Sequence, residues 1–297
     1  MTATAEPTVP IQAGGCDWLA IWQQMVDVER AQTAARTGTH AGQRADRWAG
    51  RSGRFAQAAG RTTQPDAFLQ AILPELQPTD TVLDIGAGTG RHTAFLASQV
   101  ADVIAVEPSA SMRGHLQQRL ASAGAQNVTV IAEPWPLSDR ISCDIAICAH
   151  VVYGVRELGP FLMQMSRVAR RACFLLVGFR QPSYVLSPFW EALYGEARLP
   201  LPGALECLNA LYQLGIPAQL ALLPASRYVF ADHQEALDDL RWRLSLPDDR
   251  VSNARVASAI EQLLQPDVSG GLAAPGQPGR AALLYWNKRQ SEKGSAR

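Results

Sequence analysis

The chain has 297 residues, 27 basic and 27 acidic side chains, and a hydrophobic share of 47%. That balance excludes global disorder, which needs low hydrophobicity and high net charge. It also argues against a broad nucleic-acid footprint, which needs a basic excess to displace counterions. No apolar run approaches the roughly 20 residues that span a bilayer, and the first residues lack the basic and apolar regions of a signal peptide. Cysteines 16, 143, 148, 173 and 207 form no Cys-x-x-Cys pair. The expectation is a cytoplasmic protein without disulfides, a structural zinc or a membrane segment.

Residues 1–14 are rich in Thr, Ala, Pro and Gly and are expected to fray. A helix is predicted over 17–35, with Trp18, Ile21, Trp22, Met25 and Val28 recurring at three and four. Residues 37–43 read as a linker. A second helical stretch covers 46–56, with Trp48 and Phe55 on one face. Pro65 suits the first turn of a third helix carrying Phe68, Leu69, Ile72 and Leu73. The pattern then changes. Apolar runs at 81–85, 102–106, 127–131, 144–152 and 172–179 alternate with helical stretches at 91–99, 109–122 and 158–169. Such alternation predicts a parallel sheet covered on both faces, with binding loops at the strand C-termini. Arg167, Arg170 and Arg171 read as a solvated helix end.

Beyond 179 the alternation becomes irregular. Residues 181–202 are rich in Pro and aromatics, with Tyr184, Phe189, Trp190 and Tyr194. A helix is expected around Leu205–Leu214 and a sixth strand over 218–223. Asp232 and Glu235 have capping-box spacing ahead of Leu237, Leu240 and Leu244. Val256, Ile260, Leu263 and Leu264 mark one more helix. A Gly/Pro loop at 269–279 precedes a final strand at 281–286 and a polar tail at 290–297.

The strongest chemical pattern is Val82-Leu-Asp-Ile-Gly-Ala-Gly-Thr-Gly90. Glycines at spacing two let the backbone turn sharply and approach a ligand closely. The helix that follows presents free N–H groups and a positive dipole end. Glu107 ends the next strand, about 20 residues beyond Gly86, where a carboxylate can accept both ribose hydroxyls. The pattern implies a nucleoside-containing cofactor. A dinucleotide turn would place a third glycine where Arg91 stands, which counts against a nicotinamide- or flavin-dependent oxidoreductase.

Asp84-Ile-Gly-Ala-Gly-Thr-Gly90 resembles motif I of the class I S-adenosylmethionine-dependent methyltransferases. Val103–Ser109 resembles their second motif, and Asp144–Tyr153 their fourth-strand motif. The resemblance covers about 78 to 178. It implies a Rossmann-like α/β fold with a seven-stranded, mostly parallel sheet, its last strand antiparallel, plus helical cap elements. Residues 1–60 would form an N-terminal helical arm or lid. Residues 61–289 would form the methyltransferase domain, with cap insertions at 181–202 and 227–275.

By the same resemblance Asp84, Gly86, Ala87, Gly88 and Gly90 would face the methionine half of S-adenosylmethionine. Glu107 would hold the ribose, Pro108 and Ser109 would flank the adenine, and Ala132 and Glu133 would lie at its edge. His150 would sit beside the sulfonium. His150 is the candidate general base, with an ordinary pKa suited to neutral pH; the alternative is a strand-end cap. Tyr153 is a catalytic hydroxyl or a pocket wall, and His92 touches the methionine carboxylate or, as expected here, faces solvent. Trp18, Trp22 and Trp48 supply core packing or a lid over the cofactor. The implied reaction is direct methyl displacement onto a small-molecule acceptor, with no metal. The other reading is a catalytically silent cofactor-binding protein.

Overall fold

The computed structural model describes residues 15–37, 65–138, 141–224, 228–244, 249–268, 270–275 and 280–288, with Asp46, Trp48, Ser52, Gly53 and Leu246 between them. The start expected to fray, Phe55 with most of the expected 46–56 helix, most of the expected 37–43 linker, and the 290–297 tail lie outside these residues.

Strands β1 (Thr81–Ile85), β2 (Asp102–Val106), β3 (Val128–Ile131), β4 (Cys143–Ala149) and β5 (Ala169–Gly178) form the parallel part of one sheet. The order is β3-β2-β1-β4-β5-β10-β6. β10 (Ala281–Asn287) runs antiparallel between β5 and β6 (Gln219–Leu223). This is the expected seven-stranded sheet with a reversed last strand. β1 and β4 are nearly continuous apolar runs because helices cover both their faces. No helix among the described residues is long and apolar enough to cross a membrane.

On one face lie α1 (Trp18–Thr37), α5 (Leu158–Val168) and α7 (Ala204–Gln213), burying Trp22, Val26, Phe161, Leu162 and Cys207 against Leu83 and Ile85. On the other, α2 (Ala67–Ile72) and α3 (Arg91–Ala97) bury Phe68, Ile72 and Leu96 against Val82, Ile145 and Ile147. α4 (Ala110–Ser122) packs Leu116 against Ala105.

A third core has its own members. α6 (Ser187–Tyr194) contributes Phe189 and Trp190, α8 (His233–Arg243) Leu240, and α9 (Arg250–Leu263) Val256 and Ile260. A small sheet, β7 (Val229–Phe230), β9 (Leu272–Ala273) and β8 (Gln265–Pro266), joins them. The two irregular stretches of sequence thus share one hydrophobic cluster. Part of the expected Gly/Pro loop is strand β9.

Three local readings change. The buried stripe of α1 is Trp22, Val26 and Glu29, and Val28 is exposed. The period was right and the phase was off, because α1 also buries a polar residue. Glu29 pairs with Arg198 at 3.1 Å, both side chains about nine-tenths buried. Pro65 precedes the helix: Asp66 is the N-cap of α2 and accepts from Leu69 N–H at 2.9 Å. Arg170 and Arg171 belong to β5, not to a helix end. Arg170 pairs with Asp144 at 2.9 Å and Arg171 with buried Asp80 at 3.0 Å.

Candidate active site

The Gly-rich turn leaves the C-terminal end of β1 between β2 and β4. In register, Ile85 lies beside Val106 and Cys148. The N–H groups of Gly86 and Ala87 both reach back to Val106 O, at 2.8 and 3.1 Å. Gly86, Gly88 and Gly90 have φ of 75°, 59° and 80°, a region that costs side-chain-bearing residues about 1–2 kcal/mol. Their surroundings differ. A Cβ on Gly86 would overlap Val151, and one on Gly90 would overlap Leu116. Among the described residues a Cβ on Gly88 would meet Gly86 O alone, at 3.9 Å, which leaves room for a ligand at Gly88. Gly90→Ala is expected to lower stability by at least about 1–2 kcal/mol, the φ cost before any crowding. Urea unfolding checks this; an unchanged midpoint contradicts it.

Glu107 follows β2 with its carboxylate buried. One oxygen accepts from Gly88 N–H and the other from Ser109 N–H, both at 2.8 Å. Burial raises its pKa, and the Asp84 charge adds to this. Each carboxylate oxygen keeps a second lone pair. Ser109 is the N-cap of α4 and accepts from Met112 N–H. Asp46 accepts from the Ser109 hydroxyl at 2.8 Å and from Ser111 N–H at 2.9 Å. Against the burial that raises it, the Ser111 and Trp48 amides and the serine hydroxyls bring Asp46 to a pKa of about 2. Trp48, two residues on, lies with its ring 5.6 Å from that of Trp242 on α8. Asp46 therefore touches the edge of the Glu107 site, and Trp48 the α8 helix.

Asp84 is buried and accepts from the Thr93 hydroxyl at 2.7 Å, which braces β1 against α3. Burial raises its pKa. His92 does not face solvent. It is 8% exposed, bonds Asp66 through Nε2 at 3.0 Å, and lies with its ring 5.2 Å from that of Phe68. Asp66 also pairs with Arg91 at 2.9 Å. Burial raises the Asp66 pKa, but His92, Leu69 N–H and Arg91 together hold it well below the usual carboxylate range.

His150 follows β4 and carries φ of 59°. Its Nδ1 lies 2.8 Å from the Tyr153 hydroxyl, which also accepts from Gly178 N–H at 2.7 Å. Desolvation at this strand end, then the charges of Arg91 and His92, lowers its pKa to about 4, with Asp66 opposing. The expected ordinary imidazole is thus a ring kept neutral. Burial raises the pKa of the Tyr153 phenol. Because the unfolded ring takes up a proton near pH 6.5 and the folded one only near 4, this group stabilises the fold above 6.5. That stabilisation is lost as pH falls from 6.5 towards 4. His150→Asn, which tolerates positive φ, is expected to flatten this part of the stability–pH curve; parallel urea midpoints for both proteins at pH 7 and 5 would contradict it.

The turn, Glu107 and His150 stand at adjacent strand ends of one sheet. A family model described as a methyltransferase domain matches residues 83–177, from β1 almost to the end of β5. The crystal structure of the YcgJ protein from Bacillus subtilis shares the fold, with a TM-score of 0.51 at 16% identity, over 75% of this chain and 98% of that one. Residues 83–177 are a methyltransferase domain, and the enzyme is an S-adenosylmethionine-dependent methyltransferase. An uncharacterized protein of Haemophilus influenzae is 27% identical over 231 residues, 75% of this chain and 83% of its own. An uncharacterized methyltransferase of Mycobacterium bovis is 33% identical over 119 residues, 39% of this chain and 45% of its own. The cofactor of this methyltransferase is S-adenosylmethionine.

The residues present fit that cofactor. The turn is open at Gly88, and Glu107 has two spare lone pairs beside it. Ala132 and Glu133, after β3, are exposed, as is Pro108. Three residues around this candidate site escaped sequence reasoning: Thr93, Asp66 and Asp46. The spacing of Thr93, nine after Asp84, places it in the first helical turn, and that was the one available signal. Asp66 and Asp46 lie 26 and 63 residues from their partners His92 and Ser109, and no local pattern joins them.

Proposed function

We propose that this methyltransferase transfers a methyl group to a small-molecule acceptor. The acceptor would be held between the β4 and β5 ends and the helices of 181–202 and 227–275, which would act as a cap. When bound, the cofactor supplies an electrophilic methyl on a sulfonium. Gly86, Ala87, Gly88 and Gly90 would hold its methionine half, with Asp84 bracing the turn through Thr93. Glu107 would take the ribose hydroxyls. Pro108 and Ser109 would flank the adenine, and Ala132 and Glu133 would lie at its edge. His150 would meet the acceptor, and Tyr153 would fix His150. Residues 1–60 would serve as an arm or lid, 61–289 as the catalytic domain.

The carrying observation is the register that puts the glycine turn, Glu107 and His150 at neighbouring strand ends. A small acceptor is supported by the separate core of α6, α8 and α9, which provides a wall, and by the formal charge of +0. Calorimetric titration with S-adenosylmethionine, S-adenosylhomocysteine and NAD tests the site. Both adenosyl-sulfur ligands should bind, and Gly88→Arg should abolish their binding by filling the open side of the turn. Binding of NAD instead, or of none of the three, overturns these residue roles.

A further inference from the structure

The hydrogen bonds around His150 fix which of its nitrogens carries the proton. The Tyr153 side chain is buried, 6% exposed. Its oxygen accepts from Gly178 N–H, since an amide nitrogen can only donate. The phenol has one hydrogen of its own to place. Among the described residues, the acceptor within reach is His150 Nδ1 at 2.8 Å. The reverse assignment, Nδ1–H towards tyrosine, would leave a buried hydroxyl hydrogen without an acceptor, which folded proteins rarely tolerate. So Nδ1 is bare, and the proton of the neutral ring sits on Nε2. The two rings lie nearly parallel, 15° apart with centroids 6.1 Å apart. His150 itself is exposed. With Nδ1 turned to buried Tyr153, Nε2–H takes the open side. The left-handed backbone of His150, with its N–H bonded to Leu176 O at 3.0 Å, holds the ring there. Strain of this kind persists where the surroundings impose it and clusters at functional sites.

Among the described residues, the neighbouring groups are committed elsewhere. The Tyr153 hydroxyl is spent on His150 and Gly178. Asp84 accepts from Thr93 within the sheet–helix interface. Glu107 is bonded to two amides at the β2 end. Cys148 is fully buried, and Asp66 is shared by Arg91 and His92.

We infer that His150 acts as a fixed hydrogen-bond donor through Nε2–H, and that the atom methylated is a carboxylate oxygen of the acceptor. The inference rests on the methyl-transfer reading above. Alcohols, phenols, thiols and alkylamines arrive at pH 7 largely with a proton to lose, whereas a carboxylate, with a pKa near 4, arrives bare. A carboxylate is also the strongest acceptor for a neutral N–H among these groups. In the step, a carboxylate lone pair forms the O–CH3 bond while the C–S bond breaks and its pair goes to sulfur. The carboxylate charge and the sulfonium charge cancel, and no proton is taken up or released. The product is a methyl ester. Tyr153 is a positioning residue that sets the tautomer.

Two measurements on the intact protein test this. Nitrogen-15 NMR of the histidine-labelled chain at pH 7 should show His150 neutral with the proton on Nε2, and Tyr153→Phe should release it into a tautomer mixture. A proton on Nδ1, or an imidazolium, overturns the donor role. Incubation with methyl-labelled S-adenosylmethionine and a metabolite extract should yield label that is released as methanol by mild alkali, the mark of an ester. Alkali-stable label overturns the carboxylate. No transfer at all, with the cofactor bound, overturns the methyl-transfer reading and the carboxylate with it, while the tautomer still decides His150. On the labelled product, His150→Gln, which keeps an N–H donor, should retain most of the rate, and His150→Phe should lose about 10–100-fold, the worth of one hydrogen bond to a charged group. Equal loss in both variants counts against the donor.

Discussion

Glu107→Gln is expected to weaken S-adenosylmethionine binding about 100-fold while leaving the chain folded. Each oxygen of the carboxylate already takes one backbone N–H, from Gly88 and from Ser109, at 2.8 Å. The amide group of Gln must point its NH2 at one of these two donors. That turns an attraction into a repulsion and removes one of the two lone pairs left for the ribose. A hydrogen bond to a charged group is worth about 1.5–3 kcal/mol, and about 1.4 kcal/mol is tenfold in affinity. One lost bond plus a displaced turn therefore gives about two orders of magnitude. Stability should move little. Burial raises the Glu107 pKa, so the fold bears a desolvation cost for its charge. Removing the charge relieves that cost and offsets the lost acceptor. Calorimetry and a urea melt on the same samples check both halves. An unchanged dissociation constant would mean that Glu107 shapes the turn without touching the cofactor.

The parts of this site that local sequence determines were legible in it. Apolar runs five residues long gave β1 and β2, and the glycine spacing gave a turn with positive φ at Gly86, Gly88 and Gly90. Asp232 announced its helix because a cap is a contact between near neighbours. What failed was set by distant partners. His92 looks like an exposed first-turn residue until Asp66 is brought to it from α2. Glu29 breaks the apolar stripe of α1 because Arg198, 169 residues away, neutralises it. Arg170 and Arg171 sit among good helix formers, and no Gly or Pro marks the passage from α5 to β5 at Val168 and Ala169. Pairing with β4 decides that boundary, and a single strand of sequence does not contain it. The shared core of α6, α8 and α9 was invisible for the same reason, since about 40 residues and a sheet edge separate its halves. The ordinary pKa expected of His150 was a default value, and desolvation with the Arg91 and His92 charges lowers it.

Trp22→Ala is expected to be the most destabilising single truncation in α1, at about 3–5 kcal/mol. Trp22 is 0% exposed, and its indole Nε1 donates to Val155 O at 2.7 Å. Arg30, two turns on, donates to Gly154 O at 2.6 Å. The helix therefore holds the two carbonyls that follow Tyr153, and through Tyr153 it bears on His150. A chain of this size with ordinary stability of about 5–15 kcal/mol survives the loss. Its consequence should be uneven. The glycine turn and Glu107 are built on β1 and β2 and do not touch Trp22, so the cofactor dissociation constant should change less than severalfold. The segment 150–157 should exchange its amide hydrogens faster, and turnover should fall with it. Trp22→Phe separates packing from the hydrogen bond. It keeps most of the apolar area and leaves Val155 O unpaired, at about 1–3 kcal/mol. If hydrogen exchange in 150–157 is the same in the wild type and both variants, α1 is an ordinary covering helix and the coupling to His150 is wrong. If exchange rises in both but more in Trp22→Ala, the helix is the part of the molecule that keeps the acceptor-side loop in its strained, working conformation.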